Sequence, residues 1–295
     1  MTDSRVAGPA GVELIAGAHG LPMVVIRAPD GARAEAYLHG GQVTSWTPAG
    51  APAGAAGERL FLSAAAQLRP GAPIRGGVPV MFPQFAKLGP LPKHGFARTT
   101  EWTLDAGELS AESASATLLL ADSAATHAIW PHPFALELTV TVGGPTLAVR
   151  LDVVNPGDAE LAFTAALHTY LRVDHVARVA VRGLEGVRYL DEAAGNVERV
   201  QEEREVHIVG EVDRVYLGAP DTVEVVEPDR TTVVEKTGFP DTVVWNPGPV
   251  RGAALADLEP GGATRMLCVE AAAAGAPVRL APGARWSGTQ TLGAR

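Results

Sequence analysis

Two short stretches carry groups able to move protons. Read as a strand, 161-LAFTAALHTYLRV-173 places Thr164, Ala166, His168, Tyr170 and Arg172 on one face and Phe163, Ala165, Leu167, Thr169 and Leu171 on the other. His168 thus stands among small and polar groups, where a ligand has room. In 265-RMLCVEAA-272, Glu270 shares a face with Met266 and Cys268, opposite Leu267 and Val269. A carboxylate among apolar neighbours is either paired or keeps its proton to higher pH, and one poised near neutrality suits a general base. Each residue also has a plainer reading. His168 can be satisfied by a neighbour on a sheet surface, and Glu270 can reach water past Ala271 and Ala272.

A third stretch, 75-RGGVPVMFPQFAKLGPLPKHGFARTTEW-102, supplies charge. It holds Arg75, Lys87, Lys93, His94 and Arg98 and no acidic residue before Glu101. From Arg59 to Thr100 the chain carries six of its 24 Lys and Arg and none of its 33 Asp and Glu. A basic island in a chain of net charge −9 can focus a small anion, and arginine forks suit phosphate oxygens. The alternative is a solvated loop kept soluble by its charges. In 212-VDRVYLG-218, Asp213 can orient a histidine or accept from a sugar hydroxyl; otherwise it is half of a surface Asp–Arg neighbour pair. In 241-DTVVWNPG-248, Trp245 can stack on a sugar ring, with core packing as the ordinary explanation.

Other chemistries find no support. There is no phosphate-loop motif, and Gly76–Gly77 is not a nucleotide fingerprint. His127 and His132 are separated by Pro131, so no regular helix presents them together to a metal. The one cysteine, Cys268, rules out an internal disulfide and a cysteine-rich metal site. No cofactor or metal is expected. The acidic pI of about 5.4 speaks against nucleic acid. Apolar runs such as 115-SATLLLA-121 are too short to span a bilayer, and the N-terminus lacks a basic start followed by an apolar run, so no membrane and a cytoplasmic location are expected.

The elements that must position these residues read as strands. The segment 136-LELTVTVGGPTLAVRLDVVN-155 alternates on both sides of Gly143–Gly144, as a hairpin does. Similar runs recur at 23–28, 36–46, 177–184, 205–210, 221–227 and 231–236, punctuated by 33 Gly and 23 Pro. Short helices are expected at 251–260 and 61–67. The Ala/Gly/Pro stretch 48–58 reads as a surface excursion. The pattern predicts an all-β sandwich in a single domain spanning 1–295.

Taken in order, 74-IRGGVPVMFPQF-85, 94-HGFAR-98, 167-LHTYL-171, 212-VDRVY-216, 243-VVWNP-247 and 267-LCVEAA-272 resemble the hexose-6-phosphate mutarotases, also called glucose-6-phosphate 1-epimerases, within the galactose mutarotase-like group. The resemblance covers most of the chain and implies a β-supersandwich of antiparallel sheets with a cleft on a concave face. It implies His168 as general acid and Glu270 as general base, with the imidazole protonated and the carboxylate ionised for ring opening. It puts Arg75 and Arg98 on an anion, and His94 and Asp213 in the sugar site with Gln84 among the contacts. The partner is then a small-molecule sugar phosphate; the acidic composition permits a monomer, which is the state expected. One departure is Gly248, where the family often has an aromatic residue. Two readings stay open: a mutarotase for unphosphorylated aldoses, and a non-catalytic sugar-phosphate binding module.

Overall fold

The structure is a computed structural model and describes residues 6–7, 11–52 and 54–295. The N-terminal stretch inspected for a leader lies largely outside these residues. Among the described residues the strands pair antiparallel and form three sheets of five, nine and eight strands, with one isolated parallel bridge between Phe82 and Gly95. The predicted hairpin is there as Ala135–Gly143 and Thr146–Val154, paired in full register. The expectation of stacked antiparallel sheets with few, short helices holds.

Alternation explains how the large sheets stack. On Met266–Leu280, the side chains of Leu267, Val269, Ala271 and Ala273 enter the main core, which they share with Val149, Leu151 and Leu292 of the nine-stranded sheet. Met266, Cys268, Ala272 and Ala274 enter a second cluster on the opposite face, with Phe61, Met81, Phe85, Tyr170, Val215, Val243 and Trp245. At this strand the eight-stranded sheet therefore buries both faces, which is why 266–274 is apolar but for Glu270.

Three local expectations are corrected. The run 161–173 is two strands, Leu161–Leu167 and Tyr170–Arg172, interrupted at His168–Thr169. The interruption is held by Gln290 of the nine-stranded sheet. Its amide donates to the Val269 carbonyl at 3.0 Å, and its carbonyl oxygen accepts from the Thr169 hydroxyl. The segment 61–67 is not a helix; Leu60 and Leu62 make bridges to Leu171 and Gly76 instead. The second helix is Gly248–Ala254 and stops short of 260. In the 48–58 excursion, Glu58 fixes the chain by accepting from the backbone N–H of Trp46 and Leu60, both at 2.8 Å.

Gly77 and Gly248 show why two motif positions are glycine. At Gly77, with φ +64°, a Cβ would lie 2.0 Å from the Val43 carbonyl oxygen. At Gly248, with φ +63°, a Cβ would lie 2.6 Å from the Glu211 nitrogen. The first lets the segment after Arg75 run against the sheet. The second lets the helix bearing Arg251 begin hard against the 210–211 turn.

Candidate active site

The register of the eight-stranded sheet assembles the site. Leu167 pairs with Ala271 and Tyr170 with Cys268, so the same register across the interruption sets His168 opposite Glu270. Val243 pairs with Glu270 from the other side, and Trp245 pairs with both Cys268 and Asp213. Two cross-strand rows on one face result: His168, Glu270 and Val243 in one, and Tyr170, Cys268, Trp245 and Asp213 in the next. Directly opposed side chains on an antiparallel sheet are in contact range. His168 Nε2 and Glu270 Oε1 are 3.3 Å apart. On the far side of the interruption the His168 N–H donates to the Pro79 carbonyl at 3.0 Å, tying the histidine to the basic segment.

These rows form the floor of a cavity of about 160 Å³. Arg75, Lys93, His94 and Arg98 line it from the basic segment, Asp213 and Trp245 from the sheet, and Glu192, Arg251 and Asp257 from connections. Arg75 is fixed on two sides. Its Nε donates to Asp257 Oδ1 at 3.1 Å, with Nη2 also 3.1 Å from that oxygen, and its Nη1 donates to the Tyr170 hydroxyl at 2.9 Å. A guanidinium has five N–H donors, so donors remain for an oxyanion. Arg98 donates from Nη2 to the Lys93 carbonyl at 3.0 Å, while its buried Nε has no partner among the described residues.

Of the residues singled out in the sequence, His168, Glu270, Arg75, Arg98, His94 and Asp213 all line this cavity. Gln84 does not. It faces a separate groove with Leu88, Trp130, Phe163 and Pro277. Its amide donates to the Ala86 and Leu91 carbonyls and accepts from the Leu91 N–H, so it clamps the loop that carries Lys93 and His94. The expected sugar contact is corrected accordingly. Lys87, read as an auxiliary cation, is not among the lining residues. Glu192, Arg251, Asp257 and Tyr170 were missed as site residues. Only Tyr170 had a signal, on the same face of the alternating run as His168.

The cavity has two sides. Around Arg75 and Arg98 the field is positive, and both guanidinium groups act on His168. Asp213 and Glu192 stand beside Lys93 and Arg251, and both carboxylates act on Glu270. Burial is the first cause of each shift at the centre. It pushes the His168 imidazole well down, helped by Arg75 and Arg98. It pushes the Glu270 carboxyl well up, helped by Asp213 and Glu192. Burial favours the neutral form of each group, so the ionic pair that ring opening needs is disfavoured by this environment. Burial and the neighbouring Glu192 push Asp213 up to about 7, against the pull of Arg251, whose Nη1 is 3.5 Å away.

His94 is held differently. Its Nδ1 accepts from the Ala86 N–H at 3.2 Å, which leaves the ring proton on Nε2. Burial, His168 and the nearby cations push its pKa far down, so it is a neutral donor. Its backbone sits at φ 67°, a costly conformation for a histidine, maintained here at a functional face.

A nitrogen, a sulfur and an oxygen donor, from His168, Cys268 and Glu270, lie within 4.8 Å of one another. The sequence hid this set because the histidine comes from another strand. Burial, then Glu270, pushes the Cys268 thiol well up, so it stays protonated, and Arg75 and Arg98 oppose a dication on this ground. The donor set suits proton transfer better than metal capture.

The sheet architecture and the paired His and Glu at the foot of a charged cavity define a class. Residues 22–293 match the aldose 1-epimerase family model, and the chain belongs to that family. A protein of Cenchrus ciliaris, provisionally named a glucose-6-phosphate 1-epimerase, is 37% identical over 292 residues, covering 96% of this chain and 87% of its own length. A protein of Escherichia coli K12 with the same provisional name is 34% identical, covering 85% of this chain and 83% of its own. Among solved structures, a Salmonella typhimurium protein provisionally called a mutarotase superposes with a TM-score of 0.88 at 30% identity, over 98% of this chain and 96% of that one.

Proposed function

We propose that the protein interconverts the α and β anomers of hexose 6-phosphates by acid–base ring opening. One observation carries the reading: a proton donor and a proton acceptor stand 3.3 Å apart at the floor of the cavity, beside an arginine pole. The ring oxygen and the anomeric hydroxyl of a hexose are bound to the same carbon, so closely spaced groups can serve both at once. Glu270 takes the proton of the C1 hydroxyl while His168 gives one to the ring oxygen. The C1–O5 bond breaks, the aldehyde forms, and C1 rotates. Closure runs the same transfers backwards from a neutral His168 and a protonated Glu270, so each turnover uses both proton arrangements. A positioned acid and base each supply about 10²–10⁴-fold.

The two sides orient the sugar. C6, which carries the phosphate, and the ring oxygen are both bound to C5. A phosphate on Arg75 and Arg98 therefore brings the ring oxygen to the His168 side, and C1 falls to Glu270. His94, a neutral donor, and Asp213, a carboxylate near its midpoint, serve the remaining hydroxyls. We take the chain to work as one unit, supported by a core that draws on all three sheets. We read it as cytoplasmic, because phosphorylated sugars are retained inside cells, and as a monomer, as its acidic composition permits.

The test is NMR magnetisation exchange between anomers of glucose 6-phosphate and of glucose, with and without protein. The expected result is rapid exchange for the phosphorylated sugar, with Arg98→Ala lowering kcat/KM for it by about tenfold or more, the effect of losing charge-assisted hydrogen bonds. Equal turnover of both sugars, unchanged in Arg98→Ala, would favour an unphosphorylated aldose. Binding of glucose 6-phosphate without faster exchange would leave a binding module.

A further inference from the structure

The arginines that would hold a phosphate also oppose the charged form of the acid. Arg75 and Arg98 both act on His168 through a buried, weakly screened environment. One side chain touches both ends of this arrangement. The Tyr170 ring lies on the His168 imidazole, with centroids 4.8 Å apart and planes inclined by 13°. Its hydroxyl accepts from Arg75 at 2.9 Å. Both Tyr170 and His168 are buried, so neither contact is diluted by water.

We propose that the substrate's phosphate dianion activates the acid–base pair as well as anchoring the sugar, with Tyr170 as the positioning residue between the two. This rests on the reading of the site given above. The dianion cancels the positive charge facing His168. The shared proton then moves from Glu270 Oε1 to His168 Nε2 across 3.3 Å. The carboxyl becomes a carboxylate and the imidazole an imidazolium, with no change in net charge. That arrangement is the one ring opening needs. The Tyr170 ring offers the imidazolium a π face, and its hydroxyl keeps Arg75 in register with that ring. An unphosphorylated sugar fills the same floor but leaves the proton on Glu270, so its deficit falls on kcat as well as on KM.

The consequence is separable from affinity, because the dianion need not be attached to the sugar. The experiment measures anomer exchange of unphosphorylated glucose with wild-type protein and Tyr170→Phe, with and without millimolar inorganic phosphite. A protein-free control at each phosphite concentration is subtracted, since anions catalyse mutarotation themselves. Phosphite is expected to raise the protein-catalysed rate about tenfold or more, the effect of a one-unit change in the proton affinity of the imidazole. Tyr170→Phe keeps the ring but loses the hydroxyl, and its activation is expected to be about two- to tenfold smaller. If wild-type turnover of glucose stays flat or falls on adding phosphite, the proposal is overturned, even if Tyr170→Phe cannot be made. If glucose 6-phosphate anomers themselves exchange no faster with protein than without, the underlying reading fails instead.

Discussion

Asp213 illustrates how a site residue trades stability for chemistry. Its carboxyl is pushed up to about 7 by burial and by Glu192 and Glu211, against Arg251 and Lys93. The folded protein therefore binds this proton more tightly than the unfolded chain, whose Asp titrates near 3.9. The associated stability is fully present below the unfolded value and is lost as pH rises through about 7. Replacing the group by a neutral isostere removes that loss. Asp213→Asn is expected to melt higher than the wild type at pH 8 and to lose most of this advantage at pH 5, in thermal scans across that range. Equal melting temperatures at both pH values would show that Asp213 is ionised freely in the fold. Asp213→Asn is also expected to be less active, because its hydrogen-bonding to the sugar changes. Alternation in the sequence located His168, Glu270 and Tyr170 on their faces. It could not state the protonation of the pair, because that depends on charges delivered by Arg75, Arg98 and Asp213 from elsewhere in the fold.

At the scale of elements, the pairing of the strand Met266–Leu280 with the interrupted strand 161–172 does the positioning. Gln290 holds that interruption from the neighbouring sheet. Gln290→Leu is expected to leave the Val269 carbonyl and the Thr169 hydroxyl without this partner, costing about 1–3 kcal/mol for each group left unpaired. Chemical denaturation reads that loss, and the anomer exchange rate is expected to fall with it, since His168 adjoins Thr169. A variant with unchanged midpoint and rate would mean that the sheet register alone sets the histidine. The strands were legible because Val, Thr and Leu alternate so regularly in segments such as 136–155. The interruption was not, since nothing in AALHTYL breaks the pattern; its cause lies 121 residues away in Gln290. The expected helix at 61–67 failed for a related reason. Leu60 and Leu62, at the start of the Ala-rich run, are held in bridges with Leu171 and Gly76, and tertiary contact overrides propensity there.

The whole molecule is an acidic sandwich of net charge −9 around a cavity with Arg75 and Arg98 on one side. A dianionic sugar is attracted to that cavity over a distance set by salt, about 10 Å at 0.1 M ionic strength. KM for glucose 6-phosphate is expected to rise several-fold between 0.02 and about 0.5 M salt in exchange measurements, while KM for glucose stays nearly constant. The basic island, and that it could focus a small anion, were readable from charge distribution along the chain. The opposing carboxylates were not, because Glu192 and Asp213 meet only through sheet pairing. All of this serves one transfer of protons at the cavity floor, so the most direct measurement is the anomer exchange rate of glucose 6-phosphate at neutral pH in Glu270→Gln, His168→Asn and the double variant. The account predicts that each single change lowers the rate by about 10²–10⁴-fold and that the double variant falls little further, because the two groups act as a unit. A folded single variant that keeps the wild-type rate, or a double variant whose loss is the product of the two, would contradict it.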